Sequence, residues 1–421
     1  MSEQGKQSLV RAVGGSYFPL ALVARMPYAM MVVGVLTLVV TARGSLALGG
    51  LNSALVGVGA ALGGPVLGAA VDRFGQRLVL LVISGLSSAA LGVMAWVVYS
   101  PLPDAAVLVV AFLVGATAPQ IAPMSRTRLV TIISARIVPE RRERVFNSTM
   151  AYESAADETV FIVGPVVAGL LAVAIDPWAP VVAAAALTLV FVAVFALHPS
   201  AVVARDTTGR TPAAPARELA RPRLVVVVVG ILGVGLFFGS MLTSLTAFMA
   251  DHGRPEQAGL VYAAMGVGSA ALALGVALFP AGFGSAARWL VFGAVILLGA
   301  LTLPAVSSAG SVTGMVVALL VIGIGIGPTL VTQFGLGARR SPIGRSATVM
   351  TMLGSAIILG QSMASAITGE VAERWGTDAA LLMPVGAALV IVVAGVVNAR
   401  LGVPPVVAVQ SPEAAAVTAD H

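Results

Sequence analysis

Apolar residues run almost unbroken through twelve windows, at 17–40, 47–71, 78–99, 105–124, 148–175, 178–198, 224–250, 258–282, 289–307, 311–335, 347–369 and 379–399. A helix needs about 20 such residues to cross a bilayer, so each window predicts one membrane-spanning helix. The runs are too continuous for the alternating pattern of barrel strands, and helices satisfy their own backbone in lipid. Windows 5 and 6 nearly merge, but Asp176-Pro177 and then Pro180 separate them, because the residue before a proline is pushed out of the helical region. Window 1 is too long, and lacks the small-residue cleavage site, for a removable signal. We number the predicted helices span 1 to span 12.

Between spans 6 and 7 the pattern lapses at 199–223, PSAVVARDTTGRTPAAPARELARPR, a Pro-, Ala-, Thr- and Arg-rich stretch. It predicts a flexible linker between a first six-helix bundle, 1–198, and a second, 224–402, with a polar tail over 403–421. An offset of 201 residues aligns the loop after span 4 with the loop after span 10, so that Arg144 matches Arg345. Under the same offset Glu153, Asp157 and Glu158 match Gly354, Ile358 and Leu359: the scaffold repeats and the acids do not. Parallel six-helix repeats are the mark of transporters with a site between the halves. The expected fold is all-α, twelve transmembrane helices in two pseudo-symmetric bundles.

Composition sharpens the picture. Of 421 residues 58% are apolar and 10% charged, and the mean hydropathy is +1.00. Soluble proteins carry roughly 25% charged residues, so a soluble enzyme or DNA-binding domain is excluded. The net charge of +6 reads as loops facing anionic lipid rather than as nucleic-acid binding. With the amino terminus placed inside, 20 of the 24 cations fall on the cytoplasmic side, Arg43, Arg254 and Arg374 fall outside, and Arg25 lies within span 1. That asymmetry predicts an inner (plasma) membrane protein with both termini cytoplasmic. There are no cysteines, no HExxH, no G-x-S-x-G and no Walker motif, the sole lysine being Lys6. No enzyme, no ATP hydrolysis, no metal and no cofactor are expected, and the chain is expected to act as a monomer.

The turn between spans 2 and 3, GAAVDRFGQR, fits G-x-x-x-D-R-x-G-x-R with Gly68, Asp72, Arg73, Gly75 and Arg77. The glycines permit close packing and a tight turn, and Asp72 suits the amino-terminal end of span 11 near Ser346 and Thr348, whose unpaired N–H groups attract a carboxylate. In this context the motif resembles the signature of the major facilitator superfamily, and with the twelve spans the resemblance covers nearly the whole chain. It implies that these residues form a latch favouring the outward-facing state; the plainer alternative is that the arginines only anchor topology. The second bundle's AGFGSAARW has Arg288 but no aspartate.

Of eighteen acids, only Glu153, Asp157 and Glu158 lie well inside a window. Glu153 and Asp157 are i and i+4, on one face, with Glu158 turned about 100° away. Arg25 lies within span 1, and Arg126 and Arg128 end span 4 on the cytoplasmic side. A lone charge in mid-membrane costs at least ~2.5 kcal/mol, so pairing is expected, with Arg25–Asp157 and Arg128–Glu153 as plausible partners. The set is either a structural network or a proton-coupling site in which Asp157 or Glu158 exchanges a proton. VFIVGPVVAG in span 5 partly resembles the glycine–proline signature of drug/proton antiporters, whose basic residue in helix 4 has no counterpart in VVAFLVGATAP.

In the resembling superfamily spans 1, 4, 7 and 10 line the cavity and spans 2, 5, 8 and 11 meet between the halves. On that basis Tyr28, Gln120, Tyr152, Phe237, Thr243, Gln333 and Gln361 are candidate substrate contacts, each also readable as ordinary packing. The set is apolar with few hydrogen-bonding groups, which suits an amphiphilic small molecule better than a sugar. The expected function is alternating-access secondary transport, proton-coupled export of a small amphiphilic or hydrophobic compound. The alternative is a proton-coupled importer of a nutrient or organic anion held by Arg25. Its partners are then protons, the substrate and the lipid bilayer, with no nucleic acid.

Overall fold

The computed structural model describes residues 9–201, 213–254, 257–280 and 282–402. Twelve helices are long and apolar enough to cross a membrane, and no strand occurs among the described residues. The first bundle comprises Tyr17–Arg43, Leu46–Phe74, Gln76–Val97, Asp104–Arg136, Pro139–Ala174 and Ala179–Leu197. The second comprises Pro222–Asp251, Ala258–Leu278, Ser285–Ser308, Val312–Arg340, Ser346–Ala380 and Met383–Arg400. The tail over 403–421 and residues 202–212 of the expected linker lie outside the described residues. The linker's far end is tied down: Ala214 N–H donates to the Ile343 carbonyl at 2.9 Å, and Arg345 Nε donates to the Ala214 carbonyl at 2.7 Å.

Helix ends follow local chemistry. Span 5 stops at Ala174 and span 6 begins at Ala179 with proline in its first turn, as Pro177 and Pro180 require. The Ser45 and Ser311 hydroxyls cap spans 2 and 10 by accepting from Leu48 N–H and Gly314 N–H. Two departures from expectation matter for the site. Span 5 starts at Pro139 rather than 148, so Glu153 lies 14 residues, about 21 Å, along it rather than five residues in. Span 4 does not end at 124. It breaks over 117–120, just where Pro119 interrupts, and resumes as Ile121–Arg136.

Each bundle has its own apolar core: Met30, Leu38, Leu91 and Val114 are fully buried in the first, and Phe237, Trp289, Leu319 and Ile391 in the second. Small residues let helices touch. Gly323 and Gly327 of span 10 face the Ser269 backbone of span 8, and a Cβ on either would come within 3.0 Å of it. Between the bundles span 2 lies along span 11 through Gly57, Gly64 and Gly68, which face Ser362, Ser355 and Thr351. Spans 5 and 8 form the second seam. The bundles close on the end that carries most cations, where Arg339 pairs with Glu143 at 3.3 Å across the gap.

Candidate functional site

Four charges from spans 1, 4 and 5 form a quartet within the first bundle. Arg25 Nη2 donates to Glu153 Oε2 at 2.5 Å and Arg25 Nη1 to Asp157 Oδ1 at 3.1 Å. Arg126 Nη2 donates to the other Asp157 oxygen at 2.5 Å. The second Glu153 oxygen accepts from Ser125 Oγ at 3.0 Å, and Ser125 in turn meets the Tyr17 hydroxyl at 2.8 Å. Two guanidinium groups and two carboxylates sum to zero, which is how ionised groups persist at this depth. Their exposure is unequal: the Glu153 side chain is 0% exposed, Arg126 2% and Arg25 4%, whereas Asp157 is 21% exposed. Asp157 is therefore both the bridge between the arginines and the most exposed member of the quartet.

The expected Arg25–Asp157 pair is present, alongside Arg25–Glu153. The expected Arg128–Glu153 pair is not formed. Arg126 and Arg128 are two residues apart on one helix, so about 200° separates them and only Arg126 can face span 5. Arg128 turns into the bundle and donates to Gln76 Oε1 at 2.9 Å, the Phe195 carbonyl at 3.0 Å and Ser200 Oγ at 3.2 Å, with its guanidinium over the Phe195 ring at 4.1 Å. Neither arginine closes the end of span 4 as expected. Both are buried inside it, so this helix carries basic residues after all, in its second segment.

Glu158 leaves the quartet entirely. Its Oε1 accepts a hydrogen bond from Ser269 Oγ of span 8, across the seam between bundles. A second link between the bundles comes from Arg126, whose guanidinium carbon lies 3.9 Å from the centre of the Phe334 ring on span 10. The six candidate groups thus do not form one network: four make the quartet, Arg128 braces the first bundle, and Glu158 spans the seam.

At the span 2 to span 3 turn, Asp72 accepts from Ala347 N–H at 3.0 Å, Thr348 N–H at 2.8 Å and Thr348 Oγ1 at 2.6 Å. These are the free donors of the first turn of span 11, with Ala347 in the place expected for Ser346. Gly68 lies one turn above, where a Cβ would come within 2.7 Å of the Ala347 carbonyl. Gly75, at φ 87°, makes the turn into span 3. Arg73 and Arg77 are exposed, Arg73 over the Phe74 ring at 5.2 Å.

The candidate substrate contacts do not converge on one pocket. Gln120 opens the second segment of span 4 and lies at the seam near Gly354, its Nε2 without a hydrogen-bond partner. Tyr28 meets Phe161 edge-on, and Tyr152 Oη donates to the Phe18 carbonyl at 3.4 Å. Thr243 and Gln361 are half-buried, and the Gln361 backbone packs on Gly239. Phe237 sits in the core of the second bundle, and Gln333 is fully buried there with both amide atoms unpartnered, beside Gly230. Sequence reading missed Tyr17, Ser125, Gln76, Phe334 and Ser269. Ser125 stands between Pro123 and Arg126, which marks it in retrospect; the others carry no signal until the helices are placed. Among the described residues no group of three or more His, Asp or Glu side chains is arranged to hold a metal.

The sequence profile of the Major Facilitator Superfamily matches residues 17–365, and the chain belongs to that superfamily of transporters. The fold is similar to the human organic anion transporter MFSD10 (TM-score 0.70, 17% identity, covering 93% of this chain and 100% of that one). It is also similar to a bacterial homologue of the iron transporter ferroportin in an outward-facing state (TM-score 0.71, 16% identity, 92% and 98%). The proton:xylose symporter XylE is similar at TM-score 0.65 and 13% identity, covering 92% of this chain and 96% of that one. At these identities the likeness is one of fold. No curated protein sequence matches the chain.

Proposed function

We propose that this transporter exports a small amphiphilic or hydrophobic compound in exchange for protons, by alternating access. We place it as a monomer in the plasma membrane with both termini cytoplasmic, which puts the closed, cation-rich end inside and the molecule in an outward-facing state. The carrying observation is Asp157, the accessible carboxylate that holds Arg25 at 3.1 Å and Arg126 at 2.5 Å. A proton taken up on the Asp157 carboxylate removes one negative charge from a neutral quartet and releases Arg126. Because Arg126 also lies over Phe334 of the second bundle, the freed guanidinium changes a contact between the halves. Glu158, bonded to Ser269 across the other seam, is the second group whose protonation alters an inter-bundle contact. Asp72 on the first turn of span 11 is the latch that holds the cytoplasmic end shut. Tyr28, Gln120, Tyr152, Thr243 and Gln361 remain the proposed substrate contacts, with Gln120 the best placed.

The import reading needs Arg25 to bind a substrate carboxylate. Both of its Nη atoms are already engaged by Glu153 and Asp157, which favours export. Proteoliposomes with an acidic lumen test the choice, using compounds selected by a growth-inhibition panel. Exchange draws substrate into the lumen as protons leave, whereas co-transport empties it; substrate leaving with the protons overturns the export reading.

A further inference from the structure

Spans 7 and 12 leave between them an open groove of about 540 Å³ on the outer wall of the second bundle. Its walls include Pro222, Val226 and Val229 of span 7 and Val390, Val393 and Leu401 of span 12. Span 7 begins and span 12 ends at the cation-rich side, so the groove runs inward from that surface. The stretch Leu389–Leu401 covers about 18 Å of helix, against about 15 Å for half the hydrocarbon thickness. Its length is that of one leaflet, its walls are apolar, and Val393 is 59% exposed.

The outer end of the groove is charged. Pro222 and Leu401 form that end, and their chain neighbours are Arg221, Arg223 and Arg400. Arg221 is neutralised by an ion pair with Glu218. Arg223 and Arg400 have no acidic partner among the described residues, and Arg400 is exposed. The rim is also fixed in shape. Arg340 donates from Nη1 to the Arg223 carbonyl at 2.6 Å and from Nη2 to Asn398 Oδ1 at 2.7 Å, which clamps the start of span 7 to the end of span 12. Arg223 and Arg400 thus stand in the chain next to the residues that form the mouth of an acyl-sized apolar furrow.

We propose that this groove is a binding site for an anionic phospholipid of the cation-rich leaflet, with one acyl chain along Val226, Val229 and Val393 and the phosphate between Arg223 and Arg400. A zwitterionic lipid fits the furrow but leaves the rim charge uncompensated, so the site discriminates by headgroup. The proposal is independent of the cargo and of proton coupling.

Native mass spectrometry of the full-length protein, titrated with phosphatidylglycerol or phosphatidylcholine, tests it. Removing one juxtamembrane arginine is worth about a fivefold loss of affinity for an anionic lipid, so Arg223→Gln with Arg400→Gln is expected to weaken phosphatidylglycerol about 25-fold and phosphatidylcholine little. Val393→Trp fills the furrow and is expected to lower retention with both arginines intact. Arg136→Gln with Arg141→Gln removes two exposed cations from the same end of the first bundle and is expected to leave retention unchanged. Equal phosphatidylglycerol binding by the Arg223/Arg400 variant, or an equal loss in the Arg136/Arg141 variant, overturns the site. So does unaltered binding by Val393→Trp.

Discussion

Asp72 reaches across the seam between the bundles and takes both the backbone N–H and the hydroxyl of Thr348, at 2.8 and 2.6 Å. A carboxylate from one half thereby completes the first turn of a helix in the other. Under the proposed alternating-access cycle the contact breaks when the cation-rich end opens, so its strength bears on the balance between conformations.

Replacing Asp72 by Asn removes the charge and turns one acceptor into a donor facing N–H groups. Hydrogen bonds to a charged group contribute about 1.5–3 kcal/mol, so the closed-to-open ratio is expected to fall by about tenfold or more. The chain has no cysteine, so Arg77→Cys and Ile343→Cys can be spin-labelled directly. The label-to-label distance distribution should broaden and lengthen in the Asn variant.

Gly68→Ala probes the same seam through shape. Its new methyl meets the Ala347 carbonyl and Thr351, and overpacking of this kind costs about 1–3 kcal/mol. The same labelled pair should separate. Gly75→Ala is the contrast: φ is 87° and a Cβ there meets nothing within 4 Å. It should lower thermal stability through backbone strain without opening the seam.

Breaking the quartet on one side strands buried charge. Arg25→Gln is expected to cost about 3–5 kcal/mol, visible as a large drop in melting temperature in detergent. Arg25→Met combined with Glu153→Met leaves Arg126–Asp157 paired and should recover most of that loss.

Asp157→Asn should abolish transport driven by a pH gradient while the protein remains folded in the membrane. Full transport in that variant removes Asp157 from the mechanism. Glu158→Gln keeps a side chain able to accept from Ser269 but unable to titrate, so its transport should persist with a flatter pH dependence than the wild type, whereas Glu158→Ala loses the contact altogether and should transport less.

His198 lies just past span 6, between Ser200 Oγ at 2.9 Å and Ser16 Oγ at 3.3 Å. Burial, and then the nearby Arg128 charge, hold its imidazole below the ordinary value of 6.5. A depressed value in the folded state means that its contribution is present above pH 6.5 and is lost as pH falls through and below it. Thermal melts from pH 7.5 to 5 should show that acid loss, and His198→Gln should reduce it.

Much of this architecture is legible in the residues. Twelve apolar runs give twelve helices because lipid leaves the backbone no alternative. The linker of low hydropathy and the Asp72 motif place the seam between spans 2 and 11. Helix length is not legible from hydropathy: Glu140, Arg141, Arg142 and Arg144 are helical but polar, so the apolar window marks membrane depth and misses nine residues of span 5. The break at 117–120 was foreshadowed only by Pro119. The partner of Glu153 turned on which of Arg126 and Arg128 faces span 5, a matter of helix rotation that no apolar count contains. The link from Glu158 to Ser269 joins residues 111 positions apart, and only the packing of spans 5 and 8 brings them together.

The quartet is neutral as well as largely buried, and all four of its members belong to one bundle. An electric field does work only on net charge carried through it, about 2.3 kcal/mol per unit charge for each 100 mV. A balanced set of two cations and two anions moving as a rigid group feels almost none of that voltage. The quartet is therefore electrically silent as the protein rocks, and sensitivity of turnover to membrane potential is expected to report charges outside it: Arg128, Glu158 and, under the proposed exchange, the cargo and the protons.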